Sequence, residues 1–135
     1  MIKAVFSDLD GTLLNENGTV SEETKKMIEK LKKAGIKFFI ATGRSFLAMK
    51  RFYDHLELDT EIVNYNGAVI HNSDGGKIFE LTLDDSVARE LIDYGRKNNL
   101  YYHGFSNEKW YLEDYNDTAK AYGAKSRSEE HTSEL

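Results

Sequence analysis

The fold is decided by a short apolar segment that runs into an acidic turn, Ile2-Lys3-Ala4-Val5-Phe6-Ser7-Asp8-Leu9-Asp10-Gly11. Residues 2–6 are apolar and β-prone, and the acidic cluster with Gly11 ends them, which predicts a buried strand followed by a functional loop. Beyond a turn at residues 15–18, apolar residues recur at helical spacing. They predict a helix that Ser21 caps and Gly35 ends.

The same alternation continues along the chain. Residues 36–41 predict a second strand, ending at Thr42-Gly43-Arg44, and residues 46–56 predict a second amphipathic helix. A third strand starts at residues 61–63 and ends at Asn64-Tyr65-Asn66-Gly67. This order predicts an α/β fold with a parallel sheet and right-handed crossovers. Ligands bind beyond the carboxyl ends of such strands, where all three polar clusters lie.

A hairpin and then a change of pattern follow. Residues 68–71 and 77–81 flank a turn and predict the hairpin. From about Leu83 the sequence predicts a helix, with Asp84 or Asp85 as its cap, and then two strands at residues 100–105 and 109–113. These elements indicate the start of a second, α+β unit.

The last nine residues, 127–135, are polar and aperiodic, and they resemble the conceptual translation of a sequencing adapter. We therefore expect an artefactual tail without ordered structure, and a natural protein that continues beyond Ser126.

The composition excludes several classes of function. A net charge of -5 leaves no basic footprint for nucleic acid. The absence of cysteine excludes disulfides, thiolate zinc sites and a cysteine nucleophile. No stretch approaches the ~20 apolar residues of a membrane span, and the N-terminus is too short for a signal peptide. We expect a cytoplasmic protein with no membrane or nucleic-acid partner, and we predict no protein partner.

The first polar cluster has the residues needed for phosphate-ester chemistry. Asp8 and Asp10 beside a phosphate dianion repel it, so a hard cation with oxygen ligands is needed, and Mg²⁺ is the natural choice. One carboxylate can attack phosphorus, and the other can protonate the leaving oxygen and later deprotonate water. Gly11 allows a tight turn, and Thr12 adds a hydroxyl and an amide. The alternative is that Asp8 and Asp10 are only turn and cap residues.

The other two clusters are less specific when taken singly. Thr42, Gly43 and Arg44 precede a helix whose N-terminus attracts anions, so they can form a phosphate cradle. The alternative is a helix cap with a surface arginine. Asn66-Gly67 can orient a substrate, but it is also a common tight turn.

Taken together, the three clusters resemble one family. Asp8-Leu9-Asp10-Gly11-Thr12-Leu13-Leu14 resembles motif I of the haloacid dehalogenase (HAD) superfamily. Ala41-Thr42-Gly43-Arg44 resembles its motif II, in the form typical of Cof-type sugar-phosphate phosphatases, and Tyr65-Asn66-Gly67-Ala68 is similar to another Cof-type signature. The resemblance implies a doubly wound, HAD-like Rossmannoid core with an inserted α/β cap, acting on a small-molecule phosphate ester such as a sugar phosphate.

The resemblance also implies roles for individual residues. Asp8 would be the nucleophile and a Mg²⁺ ligand, and Asp10 would be the general acid/base, lending its backbone carbonyl to the metal. The implied phosphate-binding residues are Gly11, Thr12, Thr42 and Gly43, and the implied substrate-binding residues are Arg44, Asn66 and Gly67.

The implied domains are the N-terminal part of the catalytic core at residues 1–82, the beginning of a cap at residues 83–126, and the tail at residues 127–135. The family uses a lysine and a second acidic cluster after the cap, beyond this chain. We therefore expect a truncated, inactive piece of the enzyme. The alternative class is a non-enzymatic signalling receiver, although receivers place their phosphorylated aspartate after the third strand, where this chain has Asn64-Tyr65-Asn66.

Overall fold

The computed structural model describes residues 1–126 and 132–134 of the 135-residue chain, with side chains up to residue 124. The chain divides into two compact units, Met1–Leu81 and Thr82–Leu135. The division falls one residue before the boundary that the sequence predicts.

The first unit is built on a five-stranded mixed sheet in the order β1-β2-β3-β4-β5. The first three strands are parallel, and the hairpin that follows adds two antiparallel strands to the same sheet. The α/β class is therefore confirmed. The strands are β1 (Ala4–Ser7), β2 (Lys37–Ala41), β3 (Ile62–Asn64), β4 (Val69–His71) and β5 (Lys77–Glu80).

Two capped helices connect the parallel strands, α1 (Glu22–Lys33) and α2 (Phe46–His55). Ser21 Oγ accepts a hydrogen bond from the Thr24 amide at 3.1 Å, so the predicted N-cap of α1 is confirmed. Gly35 follows α1 with a φ of +74°, a conformation that favours glycine at a helix end.

The core of the first unit lies between the helices and one face of the sheet. Its central members are buried apolar side chains from β2, β3, α1 and α2, namely Ile28, Phe38, Ile40, Met49, Phe52 and Ile62. On the opposite face Phe6 is 62% exposed and stacks on Phe39, with ring centroids 4.5 Å apart. Within the described part of this unit, the packed helices therefore cover one face of the sheet.

The second unit combines two helices with a three-stranded sheet of order β6-β7-β8. Its core contains Trp110, Leu112 and Ala119. Gly95 permits close packing, because an added Cβ would overlap the Tyr102 ring. The elements are α3 (Asp85–Lys97), β6 (His103–Ser106), β7 (Lys109–Leu112), α4 (Asp117–Ser126) and β8 (Thr132–Glu134).

Two features of the second unit differ from the sequence-based expectation. Helix α4 was not predicted, and its apolar contribution to the core is limited to the single face that carries Ala119 and Tyr122. Strand β8 pairs in parallel with β7, so the expectation of no ordered structure in the tail is wrong for residues 132–134. Edge pairing uses backbone groups and needs no periodic apolar face. The rest of the tail, residues 127–131 and Leu135, lies outside the described residues.

Among the described residues, no helix combines the length and the apolar character that crossing a membrane requires.

Candidate active site

The three polar clusters lie together at the carboxyl-terminal end of the parallel strands of the first unit. Strands β1, β2 and β3 are parallel neighbours, so their carboxyl ends lie side by side. Asp8 follows β1, Thr42 follows β2, and Asn66 lies just beyond β3. The placement is the one at which α/β sheets bind ligands.

The first loop is a five-residue turn, Leu9–Leu13, closed by a hydrogen bond from the Leu14 amide to the Leu9 carbonyl at 2.9 Å. Leu9 and Leu13 are buried and anchor the turn. Gly11 has a φ of +75°, and an added Cβ would meet nothing within 4 Å, so glycine is favoured by conformation and not by space. The tight turn expected at Gly11 is present.

The two aspartates of this turn have different surroundings. Asp8 is exposed, and its Oδ1 accepts a hydrogen bond from the Leu9 amide at 2.7 Å. Asp10 is paired with Arg44, whose Nε and Nη2 donate to Oδ2 at 2.8 Å and to Oδ1 at 2.7 Å. One carboxylate therefore faces solvent while the other is held by a guanidinium.

Arg44 is not the surface arginine of the alternative interpretation. Its side chain is 8% exposed, against 38% for Asp10. The guanidinium carbon lies 5.5 Å from the centroid of the Phe52 ring, so the group is held between a carboxylate and an aromatic face. The structure connects Arg44 to Asp10, and its role as a substrate ligand stays a prediction.

Thr42 is 4% exposed, and its hydroxyl oxygen accepts a hydrogen bond from the Arg44 amide at 3.2 Å. The cap of α2 is Ser45, whose Oγ accepts from the Ala48 amide at 3.1 Å. Thr42 is therefore not a helix cap, and the hydroxyl hydrogen is a donor that the bond from Arg44 does not use.

The third loop is hydrogen-bonded to the second. The backbone N–H of Asn66 donates to the Thr42 carbonyl at 3.1 Å, and the backbone N–H of Tyr65 donates to the Arg44 carbonyl at 3.3 Å. An added Cβ on Gly43 would lie 3.0 Å from Asn66 Oδ1, so glycine lets these loops approach closely. Asn66 adopts a φ of +56°, which asparagine tolerates better than most residues. Asn66 and Gly67 form a tight turn and are both exposed at the same edge.

Two buried polar residues behind these loops, Asn64 and His71, were not predicted as site residues from the sequence. Asn64 is fully buried and His71 is 2% exposed. Both occupy inward-facing positions of their strands, on the same face as the buried Ile62 and Val69. A polar residue at an inward position of an apolar strand is the sequence signal that could have revealed them.

The donor set at this edge fits a hard divalent cation in part. Asp8 offers an exposed carboxylate, and Asp10 is engaged through its side chain, which leaves its backbone carbonyl as the ligand that the family resemblance implies. Among the described residues there is no cluster of three or more His, Cys, Asp or Glu side chains that could hold a metal. The residues present therefore fit part of a Mg²⁺ site.

The fold and the site together define an α/β protein with an aspartate pair after its first strand. The family model for haloacid dehalogenase-like hydrolases matches residues 5–135. The chain therefore belongs to the haloacid dehalogenase superfamily, as its motifs predict.

The relatives of this chain include phosphatases of the superfamily. The chain is 38% identical over 96 residues to the Bacillus subtilis 5-amino-6-(5-phospho-D-ribitylamino)uracil phosphatase YitU, covering 70% of the chain and 36% of that protein. It is 31% identical over 110 residues to the phosphatase YwpJ of the same organism, covering 82% and 39%. A haloacid dehalogenase-like hydrolase from Bacteroides thetaiotaomicron shares the fold, with a TM-score of 0.83, 23% identity, and coverage of 100% and 52%. The chain thus spans between about a third and half of the length of these proteins.

Proposed function

We propose that this chain supplies the first half of the catalytic site of a Mg²⁺-dependent phosphomonoester hydrolase that works through an aspartyl-phosphate. The supporting observation is the difference between the two aspartates, because Asp8 is exposed while Arg44 holds both oxygens of Asp10. A nucleophile must be open to substrate, and an acid/base must be held in a defined orientation.

The proposed reaction has two displacements at phosphorus. An Asp8 carboxylate oxygen forms a bond to phosphorus while the bond to the leaving oxygen breaks, and Asp10 gives that oxygen its proton. Asp10 then takes a proton from water, whose oxygen attacks the same phosphorus and releases inorganic phosphate and the Asp8 carboxylate. Mg²⁺, when bound, offsets the negative charge shared by phosphate and carboxylates.

Side chains of the neighbouring loops have supporting roles in this proposal. Both oxygens of Asp10 accept one hydrogen bond each from Arg44, and a second lone pair on each oxygen is the site at which Asp10 would hold or take a proton. The Thr42 hydroxyl can donate to the transferring phosphoryl group, as can the backbone amides of the turn that holds Gly11 and Thr12. Gly43, Asn66 and Gly67 lie at the same edge and are proposed to contact phosphate or substrate.

The proposed substrate is a small phosphorylated metabolite, such as a sugar phosphate. The relative YitU acts on a phosphorylated ribitylamino-uracil, which joins a phosphorylated sugar-alcohol chain to a heterocycle. We propose that the unit from residue 83 is the start of a cap that selects among such esters. A receiver role is disfavoured, because no carboxylate follows the third strand in Asn64-Tyr65-Asn66-Gly67.

The test uses the chain extended to the length of its relatives, which we call the extended enzyme. We expect hydrolysis of an aryl phosphate by the extended enzyme with Mg²⁺ and its loss on exhaustive EDTA treatment, with recovery when Mg²⁺ is restored. Turnover that persists in EDTA would contradict the role of the metal. An extended enzyme that is folded but hydrolyses no phosphate ester would contradict the proposed function.

A further inference from the structure

A buried pair of polar side chains lies behind the second and third loops of the site. Asn64 ends β3 and His71 ends β4, and the Asn64 side-chain oxygen lies 2.9 Å from His71 Nδ1. The Asn64 amide nitrogen donates to the Arg44 carbonyl at 3.1 Å. Burying polar groups is unfavourable unless they are paired, so a satisfied pair in this position favours one arrangement of the loops over others.

The direction of this hydrogen-bond chain follows from its last member. A backbone carbonyl can only accept, so the amide nitrogen of Asn64 must face Arg44 and its oxygen must face His71. His71 Nδ1 therefore carries a hydrogen. The His71 ring also packs on Phe46, the first residue of α2, with centroids 4.8 Å apart, which defines the plane of the ring.

This chain of hydrogen bonds ends on the backbone of Arg44, the residue whose guanidinium holds Asp10. The Arg44 carbonyl accepts hydrogen bonds from Asn64 Nδ2 and from the Tyr65 amide, and the Arg44 amide donates to Thr42 Oγ1. An arginine side chain is long, so its guanidinium is well placed only if its backbone is fixed. Orientation of Asp10 by Arg44 therefore depends on these bonds.

We propose that Asn64, oriented by His71, is a positioning residue that fixes Arg44 and, through Arg44, the carboxylate of Asp10. The kinetic consequence rests on the proposed function, since it requires Asp10 to act in turnover. The structural consequence stands independently of it.

The experiment compares variants of the extended enzyme. Asn64→Asp keeps the shape but replaces the donor to the Arg44 carbonyl with an oxygen, so we expect kcat to fall about tenfold or more with a smaller change in KM. His71→Asn retains an amide donor where Nδ1 lies and should keep more activity than His71→Leu. In an Arg44→Ala background, Asn64→Asp should cause no further loss of kcat.

The matched control is Thr60→Val. Thr60 Oγ1 donates to the Phe38 carbonyl at 2.6 Å and is buried, but it precedes β3 and lies away from the three loops. This variant should lose stability and keep the wild-type kcat. A kcat loss in Thr60→Val equal to that in Asn64→Asp would show that general destabilisation, and not positioning, lowers activity.

A second measurement separates this proposal from the proposed function. The ¹⁵N–¹H signal of the Arg44 Nε group should be protected from exchange in the wild type and less protected in Asn64→Asp, whether or not the enzyme hydrolyses phosphate. Should Asn64→Asp not fold, the His71→Leu and His71→Asn pair gives the same comparison. The proposal would be overturned if a folded Asn64→Asp variant kept both the protection of Arg44 Nε and the wild-type kcat. It would also be overturned if Asn64→Asp lowered kcat as much in the Arg44→Ala background as it does in the wild-type background. If the extended enzyme is inactive but Asn64→Asp still lowers the protection of Arg44 Nε, only the proposed phosphatase function is refuted.

Discussion

Replacing Arg44 by methionine removes the guanidinium from Asp10 while keeping an unbranched apolar side chain beside Phe52. Two charge-assisted hydrogen bonds of 2.8 and 2.7 Å are lost. Hydrogen bonds to charged groups contribute about 1.5–3 kcal/mol, and exposed ion pairs about 0–1 kcal/mol. Because Asp10 is 38% exposed and can hydrate once Arg44 is gone, we expect a coupling of about 1–2 kcal/mol. This is below the ~3–5 kcal/mol that follows when one partner of a fully buried pair is removed.

The assay is a double-mutant cycle on the extended enzyme, with Arg44→Met, Asp10→Ala and the double variant compared by urea denaturation. The control cycle uses Lys50 and Asp54 on α2, an i,i+4 pair at 2.6 Å whose side chains are 47% and 56% exposed. We expect about 0.5 kcal/mol or less for that exposed pair. An Arg44–Asp10 coupling no larger than the control would refute the view that burial of Arg44 strengthens the pair.

Four further predictions concern catalysis, pH dependence and the chain itself. Asp8→Asn should abolish turnover of the extended enzyme with the fold intact, and wild-type activity in that variant would rule out Asp8 as the nucleophile. Thr42→Val should cost about 2.7–4 kcal/mol of transition-state stabilisation, measured as kcat/KM, while Thr42→Ser keeps most activity; a fully active valine variant would remove the hydroxyl from the mechanism. Burial lowers the pKa of His103, so His103 binds a proton more readily in the unfolded than in the folded state. The free energy of unfolding of the second unit should therefore be highest above about pH 6.5, where His103 is neutral in both states, and should fall as the pH drops below that value. In thermal denaturation of the extended enzyme, the fall in melting temperature from pH 7 to pH 5 should be smaller in His103→Phe than in the wild type, and an equal fall would contradict this assignment. The 135-residue chain alone should show no Mg²⁺-dependent phosphatase activity and no sharp unfolding transition, because β1 has an unpaired edge among the described residues and Leu91 and Leu100 are 55% and 53% exposed. A cooperative melt with turnover from this chain would contradict that expectation.

Local sequence patterns predicted most of the elements and the end of the parallel strands at which the candidate site lies. Ser21, Ser45 and Gly35 act through neighbours a few residues away, so their roles as helix boundaries could be inferred directly from the sequence. The parallel order of β1, β2 and β3 followed from the alternation of strands and helices, which placed the three loops at one edge. Helix α4 escaped prediction because its apolar residues form no clear helical stripe, and packing against Trp110 and Leu112 supports it instead.

The sequence by itself therefore determined which chemical groups lie at the candidate site and at which end of the strands they lie, because strand ends and short motifs are local properties of the chain. Only the tertiary structure decided how those groups are paired. Arg44 reaches an aspartate 34 residues away, and Asn64 meets His71 because β3 and β4 pair in a register that sets Ile62 opposite His71. A shift of one residue in that register would turn His71 to the other face of the sheet. Register and burial arise from the packing of the whole sheet, and they distinguish the exposed carboxylate of Asp8 from the one that Arg44 holds.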